Sequence, residues 1–151
     1  MRKFELVKDE YIKYNNKKIT LPKRATLHSV GYDFYSPIDC EIKPGKSELI
    51  WTNIKAKFNE DEGLILVVTS GMGKNNIILA NGLGLIESDY YNNESNDGNL
   101  GFRLYNFGEQ SYYIKVGDKI GQGFFFKYFT TDNEEVPQVI RKGGFGSTNK
   151  N

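Results

Sequence analysis

Five short stretches of this chain hold side chains able to do chemistry. They are Val30-Gly31-Tyr32-Asp33-Phe34, Thr69-Ser70-Gly71-Met72-Gly73-Lys74, Asn81 to Tyr90 (NGLGLIESDY), Gly117-Asp118-Lys119-Ile120-Gly121-Gln122, and the terminal Arg141 to Thr148 (RKGGFGST). Cys40 is the lone cysteine and His28 the lone histidine. That excludes a disulfide within the chain, a thiolate–zinc cluster and a His-based metal triad, and it gives no support to a Ser–His–Asp relay. His28 reads as a structural residue. Carboxylates, hydroxyls, amides and backbone N–H groups remain. A turn of small residues such as TSGMG can aim several N–H donors at an anion, although it lacks the spacing of a P-loop. Taken singly, each stretch also has a plain structural reading: Asp33 caps a turn, Ser70 and Gly71 shape one, Gln122 satisfies backbone, Tyr90 covers an edge, and the tail frays.

The elements that must position these groups read as strands. Leu64 to Val68 is a short apolar run that ends in a glycine turn, which suits a buried strand. Lys43-Pro44-Gly45-Lys46 marks a turn between Cys40-Glu41-Ile42 and Glu48-Leu49-Ile50-Trp51. Asn99 to Asn106 alternates with period two, as a half-buried strand does. Ser111 to Val116, the turn at Gly117-Asp118, and Gly123 to Phe129 continue the series, and on its face the whole of Gly117–Gln122 reads as an ordinary hairpin turn. Many short strands with close-spaced turns predict an all-β sandwich or barrel. The polar stretch Tyr90 to Asn99 (YYNNESNDGN) predicts an exposed hairpin tip. Asn133 to Pro137 predicts a hinge, dividing a β body over 1–136 from a flexible arm over 137–151.

Composition narrows the partners. The chain has 151 residues and a formal net charge of +1, with ten Tyr and ten Phe supplying much of the apolar surface. No global field argues for nucleic acid or a membrane, so an anionic partner must be small and held locally. The first residues lack the apolar core of a signal peptide, and no apolar run approaches the ~20 residues needed to span a bilayer. These features predict a reducing cytoplasm.

In order and spacing, the five stretches resemble the five motifs of the homotrimeric dUTPase family, whose usual forms are AGYD-L, RSG or RSS, G-x-ID-x-DY, GDRIAQ and RG-x-GGFGST. The long polar hairpin is similar to a variant found in phages and Gram-positive bacteria. The resemblance implies a jelly-roll subunit and a threefold trimer with a flexible C-terminal arm. One chain would supply the first, second and fourth motifs to each active site, another the third, and the last its arm. It also implies hydrolysis of dUTP to dUMP and pyrophosphate by in-line attack of water on the α-phosphate, with Mg²⁺ as cofactor held mainly by phosphates and water.

Carried over by position, Asn81 and the hairpin backbone from Gly84 would read uracil, and Tyr90 would pack on the deoxyribose. Ser70, Gly71 and Gln122 would donate to the phosphates, with Asp33 near the phosphate–Mg²⁺ region. Glu87 stands where the family keeps the aspartate that orients the water. Arg141 would clamp the γ-phosphate, assisted by Ser147 and Thr148, while Phe145 covers the base and Gly146 lets the backbone wrap.

Three departures stand out: Glu87 is not Asp, Thr69 replaces an arginine, and Arg141 lies four residues before Phe145 where the pattern has five. Lys74 and Lys119 could replace the lost arginine by charge only. Thr69 and Glu87 leave open a nucleotide-binding or regulatory protein with little catalysis. A dCTP deaminase, the related enzyme on this fold, would need a glutamate where Arg103 stands. No regulatory protein partner can be named from the sequence.

Overall fold

The alternation becomes strand in the computed structural model, which describes residues 1–15 and 18–146. Its elements are β1 (Lys3–Leu6), β2 (Tyr32–Tyr35), β3 (Cys40–Ile42), β4 (Ser47–Trp51), β5 (Ile54–Lys57), β6 (Glu62–Val67), α1 (Ser70–Lys74), β7 (Ile77–Leu79), β8 (Gly84–Glu87), β9 (Gly101–Asn106), β10 (Tyr112–Ile114) and β11 (Lys119–Lys127). Every strand pairing is antiparallel. A four-stranded sheet runs β2-β11-β6-β8 and a three-stranded one β4-β9-β7, with the pairs β1-β5 and β10-β3 beside them. This is an all-β, jelly-roll-like body.

One core cluster joins the two larger sheets. Phe34 of β2, Leu64 and Leu66 of β6 and Ile120 of β11 contribute from one; Ile50, Phe102, Leu104 and Ile77 contribute from the other. The rings of Phe34 and Phe102 meet across the interior at 5.4 Å. Period two holds in β9, where Phe102, Leu104 and Asn106 are buried and their neighbours are not.

Two sequence expectations are corrected. Lys119 to Gln122 is not turn but the start of β11; only the preceding residues turn, with Gly117 at φ +89°. The stretch Tyr90 to Asn99 is not an exposed tip either, since Tyr90, Asn93, Asp97 and Asn99 are buried. Its polarity is internally satisfied, the condition for burying such groups. Asn93 Nδ2 donates to Tyr90 O at 2.8 Å, and Asn93 Oδ1 accepts from the backbone of Ser95 and Asn96. Asp97 accepts from Lys55 Nζ and the Lys8 backbone N–H, each at 2.8 Å, while Asn99 exchanges hydrogen bonds with Asn53. The polar loop is therefore a buttress under Tyr90.

After β11, residues 128–140 form no regular element and are exposed.

Candidate functional site

The four-stranded sheet carries four of the five stretches, and its register decides which of them meet. Asp33 of β2 lies directly opposite Gln122 of β11, and Gln122 directly opposite Val67 of β6. Two residues past the end of β6 the chain turns into α1, whose N-cap is Thr69, with Oγ1 accepting from Met72 N at 3.4 Å. Thr69 thus closes a helix end, as hydroxyl residues do at this position. Ser70 and Gly71 follow on the exposed first turn. Gly31 packs so closely on Gln122 that any side chain there would run into its amide.

These residues line one open groove with Ser29 and Lys119. Among the described residues Lys119 is the only cation along it, and its Nζ lies 3.0 Å from Asp33 Oδ2. That hydrogen bond raises the lysine's pKa, keeping it charged. The groove therefore offers hydroxyl, amide and backbone donors with one ammonium, a set suited to phosphate oxygens.

A second pocket lies at β8, across the same sheet. Its cavity of about 130 Å³ is lined by Asn81, Gly84, Ile86, Glu87, Tyr90 and Gly101, and on its open side by Arg141, Gly144 and Phe145. Asn81 Nδ2 donates to Leu83 O at 2.9 Å, and Gly82 takes φ +80° in the turn that leads from β7 in one sheet to β8 in the other. Tyr90 forms the floor: its hydroxyl donates to Asn99 O and accepts from Asn96 Nδ2, both at 2.7 Å. Burial pushes the phenol pKa up, against the opposing effects of Asn96 and Arg141, so it remains a neutral donor.

The terminal stretch lies across this pocket. Arg141 Nη2 is 3.1 Å from Glu87 Oε2, and Arg141 N donates to Asp89 Oδ2 at 3.0 Å. The guanidinium Nε faces Asp89 Oδ1 at 3.5 Å as an ion pair without a hydrogen bond. Ser95 N donates to Lys142 O, tying the stretch to the polar loop. Gly144 rests on the Tyr90 ring, where an added Cβ would stand 2.7 Å from Cε2. Phe145, at φ +50°, meets the ring of Trp51 edge-on at 5.7 Å, and Gly146 follows at φ +91°. Ser147 and Thr148 lie outside the described residues.

Among the described residues, groove and pocket share no lining residue. Glu87 pairs with Gly63, four residues along β6 from the Val67 that faces Gln122. At about 3.3 Å per residue and about 4.8 Å per strand, the Glu87 and Gln122 backbones are roughly 16 Å apart. Within one chain, Asp33, Ser70, Gly71 and Gln122 gather in one place, while Asn81, Gly84, Glu87, Tyr90, Arg141 and Phe145 gather in another. Sequence reasoning missed Trp51 and Gly101, which meet only through the β4–β9 register; no local pattern announces them.

The dUTPase family model matches residues 17–149. The deoxyuridine 5'-triphosphate nucleotidohydrolase of Lactococcus lactis is 37% identical over 150 residues, covering 98% of this chain and 97% of the relative. The fowlpox virus protein of the same name is 37% identical over 135 residues, covering 85% and 88%. Among solved structures, the dUTPase from Streptococcus mutans superposes with a TM-score of 0.73 at 33% identity, covering 86% of this chain and 98% of that one. The dUTPase from phage phi11 of S. aureus, at 18% identity and TM-score 0.71 over 92% and 97%, shares the fold.

Proposed function

The chain belongs to the dUTPase family and hydrolyses dUTP to dUMP and pyrophosphate, and we propose that it does so at sites shared between subunits of a homotrimer. The observation that carries the shared site is that groove and pocket are separate, with roughly 16 Å between the Glu87 and Gln122 backbones, so that within one chain the acid for the water and the donors for the phosphates stand apart. A closed threefold assembly would set the groove of one subunit against the pocket of the next. Residues 1–136 then act as the β body and 137–151 as the arm.

In this reading Asn81 and the hairpin backbone from Gly84 hold the uracil edge, and the Tyr90 ring packs on the deoxyribose. Its place is fixed by the two hydrogen bonds to its hydroxyl. Ser70, Gly71 and Gln122 donate to the phosphates, and Lys119 supplies the groove with the charge that Thr69 does not. Glu87 orients the water and takes its proton. The water oxygen bonds to the α-phosphorus as the bond from that phosphorus to the α–β bridging oxygen breaks, and pyrophosphate leaves with the electron pair. Arg141 exchanges its contact with Glu87 for the γ-phosphate, freeing the carboxylate for the water. Phe145 and Gly146 close over the nucleotide, and Ser147 and Thr148 add hydroxyls to the clamp.

The S. aureus phage phi11 enzyme has been described with a structural Mg(II) ion. Here Asp33 is the one carboxylate along the groove, and among the described residues no three His, Cys, Asp or Glu side chains gather as a cage. That donor set fits an Mg²⁺ held chiefly by substrate phosphates and water, with Asp33 beside it. When bound, the ion would neutralise charge on the triphosphate.

The test follows pyrophosphate release from dUTP and Mg²⁺ by the wild-type protein and by Glu87→Gln. The variant should lose on the order of 10²–10⁴-fold in kcat, the usual worth of a positioned base. Its thermal stability should hold, because Glu87 is half exposed. Light scattering should give three times the chain mass. Wild-type turnover by Glu87→Gln, or a monomer that is fully active, would overturn the reading.

A further inference from the structure

Tyr90 is held at both ends by one pair of side-chain amides. At the hydroxyl end, Asn96 Nδ2 donates to the phenol oxygen, whose own proton goes to Asn99 O, each at 2.7 Å. At the backbone end, Asn93 Nδ2 donates to Tyr90 O at 2.8 Å and to Asn96 Oδ1 at 2.7 Å. Tyr90 lines the pocket, and Asn96 stands behind it. Resting on the reading of Tyr90 as the surface under the deoxyribose, we propose that Asn96 is a positioning residue for sugar specificity: it holds the Tyr90 ring as a fixed wall that leaves no room for a 2′-hydroxyl.

Neither amide is free to turn round. Asn96 Oδ1 accepts from Gly98 N at 3.0 Å, and Asn93 Oδ1 accepts from Ser95 N at 3.0 Å and Asn96 N at 3.1 Å. Backbone N–H groups only donate, so both side-chain oxygens face them and both NH2 groups face the tyrosine. The chain doubles back tightly to make this arrangement. Asp97 takes φ +60° and Gly98 φ +90°, and a Cβ on Gly98 would stand 2.9 Å from Tyr90 O. Behind the clamp, Asp97 is tied to the body by Lys55 Nζ and the Lys8 N–H. Every group in the clamp precedes the arm, so its geometry is the same whichever subunit's arm completes the site.

Ribose differs from deoxyribose by one hydroxyl. An apolar wall rejects an added hydroxyl by only about 10²-fold, and a ring free to rock by an atom's width would reject it less. Tyr90 is 5% exposed, and the two hydrogen bonds at its oxygen stop that rocking at the end of the ring where the leverage is greatest.

The readout is the ratio of kcat/KM for dUTP to kcat/KM for UTP, measured by pyrophosphate release from the full-length protein with Mg²⁺. Asn96→Ala should lower this ratio about tenfold, the usual worth of a buried hydrogen bond left unmade. A merely structural loss would lower both rates together and leave the ratio alone. Tyr90→Phe removes the same contact while keeping the amide pair, and should lower the ratio by a similar factor. The double variant should fall no further than the lower single one, because both changes delete one interaction. A wild-type ratio in either single variant, or full additivity in the double, would overturn the proposal. Tyr90→Leu removes the wall outright and separates the proposal from the reading beneath it. A ratio that collapses in Tyr90→Leu but holds in Asn96→Ala would overturn the role of Asn96 alone; one that holds in both would overturn the reading of Tyr90 as well.

Discussion

Gly144→Ala is the sharpest single test of the seated arm. The new Cβ would stand 2.7 Å from Tyr90 Cε2 and 3.3 Å from both Cζ and the hydroxyl. Carbon pairs settle near 3.5–4.0 Å, so about 1 Å of overlap must be relieved. Tyr90 cannot move aside: it is 5% exposed and its hydroxyl is fixed by two 2.7 Å hydrogen bonds. The arm must lift instead, and Phe145 moves with it. About two-fifths of that ring is covered. For a side chain of about 200 Å² this is about 80 Å², or about 2 kcal/mol at 25 cal/mol per Å². The Arg141 ion pairs, solvent-facing on the carboxylate side, add at most about 1 kcal/mol. Since 1.36 kcal/mol is tenfold, kcat/KM for dUTP should fall about 30-fold, and no more than about 150-fold. The assay pairs initial rates of pyrophosphate release with a thermal melt, whose midpoint should not change because no strand is touched. Wild-type kcat/KM in this variant would refute the seating of the arm on Tyr90. A melting midpoint that falls in step with activity would show that Gly144 serves the fold instead.

Other consequences are independent of that contact. A chain ending at Val139 keeps every strand. It should melt like the full chain and lose most of its turnover, whereas retained activity would make the arm a passive tail. Asp97→Ala leaves the Lys55 ammonium buried without its carboxylate. It should cost about 3–5 kcal/mol in chemical denaturation, the usual price of breaking a buried pair. In the wild type, burial works to raise the Asp97 pKa, but Lys55 and the Lys8 N–H outweigh it and hold it below the ordinary value. The folded state then binds fewer protons than the unfolded chain. The stabilisation is therefore complete well above the unfolded pKa of about 3.9 and disappears as pH falls from there through the folded value. Denaturation midpoints measured through that window should fall more steeply in the wild type than in Asp97→Asn.

The sequence by itself determined several of the strand segments and the chemical inventory. Period-two alternation in β9 and the apolar run of β6 are local consequences of putting one face against a core, so they can be read without coordinates. The resemblance likewise supplied the candidate residues, because glycines and short polar side chains at fixed spacing are what a phosphate-binding turn and a closing arm require. The polar run from Tyr90 to Asn99 misled, since the Asp97 carboxylate is paired by Lys8 and Lys55 and the Asn99 amide by Asn53, all far away in the chain. Burial of a polar group depends on partners that composition cannot show.

What only the tertiary structure decided is which of these groups meet. Register across β2-β11-β6-β8 puts Asp33 against Gln122 yet keeps Glu87 at the far end of β6. The same logic sets Trp51 beside Gly101 and under Phe145. Strand pairing has no counterpart in linear spacing. Sequence could supply the residues of a site, but only the ladder of hydrogen bonds between distant strands could divide them into a groove and a pocket.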